Sequence, residues 1–155
     1  MLPSTAMRAR LATADEVNEE IDRDTLERLE AYAECPEMID RRLSELDREW
    51  DIERMLEANA ATLILLGMVK SKWSLKWLAL PIIVAGFLLQ HALQGWCPPI
   101  PLFRRLGIRT QREIDNERMI LMLMRGDFDD VIGEETPDVR EMFAIARQTQ
   151  HESRA

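Results

Sequence analysis

The chain has 155 residues, with 28 Asp and Glu against 20 Lys and Arg and a formal net charge of −8. That length suits one ordinary domain or a small membrane protein, and the acidic balance disfavours nucleic acid, whose phosphates need a cationic surface. Two cysteines far apart in sequence and two histidines make neither a CxxC nor a zinc spacing, so no disulfide framework, metal centre or cofactor is expected.

The opening "MLPSTAMRARLATADE" has no apolar h-region, so no cleaved signal peptide is expected and any insertion would use an internal segment. Thr13-x-x-Glu16 reads as a capping box opening a helix, with Val17, Ile21, Leu26, Leu29 and Tyr32 as a loose apolar stripe. Cys35 precedes Pro36 and is pushed toward extended backbone, so that helix should end at Glu34. Pro36 suits the first turn of the next helix. Residues 1–54 hold 16 acids and 8 Arg, which predicts a well-solvated helical arm.

From Glu37 to Leu66 there is no Gly and no Pro. Ile39, Leu43, Leu46 and Trp50 form a heptad-like seam. "NAATLILLGMV" then has no charge from Ala58 to Val69. The pattern predicts one long helix, an amphipathic rod that becomes apolar all round. The uncharged run alone is too short to span a bilayer; extended from Leu56 to Trp73 it approaches a span.

Of the 20 basic residues only Lys70, Lys72 and Lys76 are lysines, and all lie in "VKSKWSLKW". This reads as a cationic tip, residues 70–76, of a hairpin covering 55–97. The second arm is "WLALPIIVAGFLLQHALQGW", with Pro81 tolerated in its first turn. Trp77 and Trp96 lie roughly 28 Å apart along a helix, close to one hydrocarbon thickness. Trp73, Trp77 and Trp96, with the three lysines and Arg104 and Arg105, are the expected interface anchors. Pro98, Pro99 and Pro101 stop the helix.

Residues 98–155 read as a basic connector, "FRRLGIRT", and a helical tail. Thr110-x-x-Glu113 is a second capping box, opening a helix through "MILMLM" to Gly126. Thr136 and Pro137 start a last helix with Val139, Met142, Phe143 and Ala146 on one face. The tail "QHESRA" has no ordering signal. Arg41, Arg42, Arg48 and Arg54 before the hairpin, and Arg104, Arg105, Arg109, Arg112 and Arg118 after it, outnumber the tip lysines. Both termini are therefore expected in the cytoplasm.

A hairpin turning near Ser74 brings Glu57 and Asn59 level with Gln90, His91 and Gln94. Ionisable groups at membrane depth are costly and usually paired, which makes Glu57–His91 a candidate intramembrane pair with Asn59, Gln90 and Gln94 around it. The alternative is that these groups lie solvated in the headgroup zone. Cys97 sits at a helix C-terminus, where the dipole disfavours a thiolate. No phosphate loop, zincin or nucleophile-elbow signature is present, so no catalytic residue is assigned.

"DIER" (51–54), "HALQGWCPP" (91–99), "FRRLGIRT" (103–110), "EIDNER" (113–118) and "RGDF" (125–128) together resemble the bacterial YgaP-like transmembrane family. Gly95, Trp96, Cys97 and Pro98 match its Gly–aromatic–Cys–Pro element, and Leu106 and Gly107 the Leu–Gly that follows. The resemblance covers roughly residues 50–128. It implies an inner-membrane two-helix hairpin that self-associates and has no well-defined function. The rhodanese domain known in the family has no counterpart here, so sulfur transfer is not carried over.

The expected protein is all-α: a charged cytoplasmic arm, a two-helix transmembrane hairpin and cytoplasmic C-terminal helices. Its expected role is a non-enzymatic membrane scaffold, with the bilayer as partner and self-association through the arm or the membrane helices. The alternatives are a thiol- or metal-linked membrane component using Cys97 and His91, and a soluble helical bundle.

Overall fold

A computed structural model of the chain describes residues 5–128 and 138–152. It is all-helical among those residues. The α-helices are α1 (Thr5–Leu11), α2 (Asp15–Glu34), α3 (Ile39–Leu46), α4 (Ile52–Ser71), α5 (Ala79–Gln94), α6 (Ile100–Arg105), α7 (Gln111–Arg125) and α8 (Val139–Glu152). Short 3-10 turns at Pro36–Met38 and Leu75–Leu78 precede α3 and α5.

Helix α1 corrects the reading of Thr13 as a cap. Thr13 Oγ1 donates to the Ala9 carbonyl at 2.7 Å, and Asn18 Nδ2 donates to the carbonyls of Arg10 and Thr13. These bonds satisfy orphan acceptors where α1 ends. Helix α2 starts instead from Ala14, whose side chain can make no cap bond. The predicted end at Glu34 holds, with Cys35 at φ −131° before Pro36.

The expected single helix from Glu37 to Leu66 also breaks. Residues 47–51 leave the helix, and Asp51 caps α4 by accepting from the Arg54 N–H at 2.8 Å. The Ile52 N–H donates to the Arg109 carbonyl at 2.9 Å. No Gly or Pro marks this break, so a local cap and one long-range bond make it. Trp50 leaves the seam: it is 45% exposed, with the Arg54 guanidinium 4.4 Å over its ring.

Helices α2, α3, α7 and α8 pack into a head. Its core holds Leu29, Ile39, Leu46, Ile114, Ile120, Leu121, Met142 and Phe143. Fully burying a side chain of Leu or Ile size stabilises by about 1.5–3 kcal/mol. A smaller core of Ala9, Ile52, Leu56, Cys97 and Ile100 seats the hairpin on α1 and α6. The Thr136–Pro137 start expected for the last helix lies outside the described residues. Its stripe does pack inward, with Met142 and Phe143 buried and Val139 and Ala146 against them. Helix α8 also runs through Gln150–Glu152, which composition left without an ordering signal.

The hairpin is α4 against α5. The helices touch so closely that a Cβ on Gly67 would lie 2.5 Å from Pro81 Cδ. Helix α5 ends at Gly95, φ 74°, whose N–H donates to the His91 carbonyl at 2.7 Å. A Cβ there would strike the Arg8 side chain, so close approach and the left-handed conformation both require glycine.

Candidate functional site

Two places concentrate polar chemistry: the head interior and the hairpin base. The first is built on α7. Its capping box forms as the sequence predicts. Thr110 Oγ1 accepts from the Glu113 N–H at 3.3 Å, and Glu113 Oε2 accepts from the Thr110 N–H at 2.8 Å. Glu113 and Glu117 stand one turn apart and face inward with Ile114, Ile120 and Leu121.

Glu113 Oε1 accepts from Arg104 Nη2 at 2.8 Å and Arg10 Nη1 at 2.9 Å; its Oε2 accepts from Arg104 Nη1 at 2.6 Å. With Thr110 these donors fill the carboxylate's four lone-pair sites. Arg104 Nη2 also reaches Asn18 Oδ1 at 2.9 Å, and Arg10 forks onto Asp22. Glu117 receives Arg42 at 2.7 and 3.2 Å, together with Arg109. Arg109 also forks onto Glu49 with two bonds of 2.8 Å.

Burial alone would push both α7 carboxyls up. For Glu113, Arg104, the Thr110 N–H and Arg10 outweigh that, and its pKa lies below the usual carboxylate range. Arg42 and Arg109 do the same for Glu117. Burial lowers the Arg28 pKa, and Glu117, 3.9 Å away, offsets only part of this. A carboxylate saturated by guanidinium donors is a poor general base. This interior specifies packing of α1, α2, α3, α6 and α7 around one helix.

It also overturns the expectation that Arg104 meets lipid. Arg104 is fully buried, while its neighbour Arg105 is exposed. Arg41 and Arg42 divide likewise: the side chain of Arg41 is 72% exposed and that of Arg42 13%. Consecutive helical residues point about 100° apart, so one of each pair turns inward. Trp73, Trp77, Trp96, Lys70, Lys72 and Lys76 are exposed, and Lys70 Nζ lies 4.5 Å over the Trp77 ring.

At the hairpin base His91 is paired, with a different glutamate. His91 Nε2 lies 2.9 Å from Glu53 Oε2, while Glu57 is exposed one turn further along α4. The 3-10 turn at Leu75–Leu78 rises about 2.0 Å per residue against 1.5 in an α-helix, which carries the returning arm about 2 Å further along α4, part of the one-turn offset from Glu57 to Glu53. Asn59 joins His91 in lining a cleft of about 140 Å3, with Cys97, Pro98 and Pro99 at its head-side end. Gln90 is half-buried and Gln94 exposed, and neither lines that cleft.

Gly95, Trp96, Cys97 and Pro98 thus form the turn from α5 toward α6. Burial pushes the Cys97 thiol up, which works against a thiolate. Among the described residues no three His, Cys, Asp or Glu side chains are grouped to hold a metal. Glu53, Glu117, Arg10, Asp22 and Asn18 were not singled out from sequence. The available signal was arginine filling every basic position outside the tip, since arginine is the residue suited to buried forks. Comparison with family models, curated proteins and solved structures finds no match for the chain.

Proposed function

We propose that this chain is a bacterial inner-membrane protein whose α4–α5 hairpin enters the bilayer while the ion-paired head and both termini stay cytoplasmic. Its role in this reading is a non-enzymatic scaffold or interaction module. One observation carries it: the hairpin turns hydrocarbon outward on both helices. Leu65 and Met68 on α4 are 63% and 55% exposed, and Ile82 and Leu89 on α5 70% and 63%. Contiguous apolar surface of this kind marks a membrane or a partner. The lysine–tryptophan tip and the YgaP-like resemblance support the same reading.

The stretch Leu75–Gln94 is long and apolar enough to cross a membrane, and it is the one such stretch among the described residues. Helix α4 carries Glu53, Arg54 and Glu57 in its first half, which favours the second reading, a soluble helical protein with the hairpin covered by another chain. Alkaline-carbonate extraction separates the two. Retention in the pellet supports insertion; release into the supernatant ends it. Crosslinking in native membranes then tests the scaffold role, and recovery of uncrosslinked monomer alone would oppose it.

A further inference from the structure

The apolar belt of the hairpin can be measured against a bilayer. On α4 no charged residue lies between Glu57 and Lys70, and on α5 residues 78–89 hold no polar side chain. The two polar groups in the α4 stretch are turned inward or satisfied. Asn59 lines the cleft against α5, and Thr62 Oγ1 donates to the Ala58 carbonyl at 2.7 Å. At the tip Lys70 Nζ lies over the Trp77 ring, so the two arms reach that level together. At the base α4 carries Glu57, and α5 carries Gln90 followed by His91 with its bond to Glu53. Thirteen positions separate Glu57 from Lys70, and thirteen separate Gln90 from Trp77. At 1.5 Å per residue, each arm gives an apolar height of about 20 Å. The hydrocarbon core of an ordinary bilayer is about 30 Å thick.

We propose that the hairpin fits a thin bilayer: its lipid partner is a hydrocarbon layer of about 20 Å, and a thicker membrane is drawn inward around it. This rests on the insertion reading above. Trp96 does not lengthen the belt. Sinking the hairpin until Trp96 meets the hydrocarbon covers the exposed Leu93, but it also submerges Glu57, Arg54 and the Glu53–His91 pair. Charge at membrane depth is expensive, whereas tryptophan suits the headgroup zone. A protein partner is a poorer fit to this surface. Leu65, Leu66 and Met68 of α4 and Ile82, Ile83 and Leu89 of α5 are all exposed. Neighbours in a helix point about 100° apart, so this hydrocarbon faces several directions. Lipid covers all of them, and one docked helix covers one.

The full chain is reconstituted into phosphatidylcholine vesicles whose monounsaturated chains have fourteen, sixteen, eighteen, twenty or twenty-two carbons. Flotation reports insertion, and thermal unfolding followed by circular dichroism reports fit. The midpoint should be highest with fourteen or sixteen carbons and lower by about 5 °C with twenty-two. Glu57 is exposed, so Glu57→Leu leaves the packing of α4 intact and moves the first charge on that arm back to Arg54. Its optimum should shift to chains about two carbons longer. A wild-type optimum at eighteen carbons or beyond, a midpoint indifferent to chain length, or an unmoved optimum in Glu57→Leu overturns the proposal, while flotation in the same vesicles still supports insertion. No flotation with any vesicle overturns the insertion reading, and the proposal with it.

Discussion

Arg104 is fully buried and Leu75 is 79% exposed, and the two residues stand for the two halves of the molecule. The head turns charge inward and satisfies it donor by donor around Glu113 and Glu117. The hairpin turns hydrocarbon outward and keeps only a thin apolar seam between its helices. Each region inverts the usual partition for a protein in water, for different reasons. In the head a guanidinium fork matches a carboxylate's geometry closely enough to offset desolvation. In the hairpin the outward face has no partner among the described residues.

The sharpest way to break this comparison is at Arg104. Arg104→Ala should cost about 3–5 kcal/mol, because Glu113 then stays buried without its main counter-charge. Urea unfolding followed by circular dichroism reads the loss, and a change under 1 kcal/mol would mean the interior tolerates unpaired charge. Acid attacks the same place. Glu113 and Glu117 have folded pKa values below their unfolded ones, so the stability they contribute is present above the unfolded carboxyl pKa, about 4.3. It is lost as pH falls through the lower folded values. The urea midpoint should therefore drop steeply below about pH 4, and Glu117→Gln should flatten that drop.

On the hairpin side, Gly67→Val should cost about 1–3 kcal/mol by forcing α4 from Pro81. Thermal denaturation in detergent tests this, and an unchanged midpoint would place the helices further apart than described. The smallest effects distinguish the two glutamates. Glu53→Gln should cost about 1 kcal/mol through the weakened His91 bond, whereas Glu57→Gln should stay within about 0.5 kcal/mol. The reverse order would restore the pairing expected from sequence.

The helices were legible where local chemistry decides them. The stop before Pro36 and the Thr110–Glu113 box follow from neighbours in sequence, whereas α5 ends at Gly95, ahead of the prolines expected to stop it. Helix α1 and the 47–51 break were not, because Asn18, Asp51 and the Arg109 carbonyl supply distant or unflagged bonds. His91 was recognisable as a candidate for pairing, yet its partner depended on the register of α4 against α5, to which the 3-10 turn at Leu75–Leu78 contributes only part. Arg42 and Arg104 read as surface charge because an Arg-Arg pair does not say which member points inward. The arginine bias held that information only in aggregate.

Gly95 accommodates Arg8 above it, and Arg8 Nη1 reaches the Ala92 carbonyl at 3.4 Å, across 84 positions of sequence. This contact has a consequence for the order of synthesis. Helix α1 leaves the ribosome well before its seat on Cys97 and Ile100 is translated. Arg10 likewise waits for Glu113, 103 residues downstream. Helix α1 therefore finds its place only once α7 has emerged, and during elongation its cations are available to whatever anionic surface the nascent chain meets.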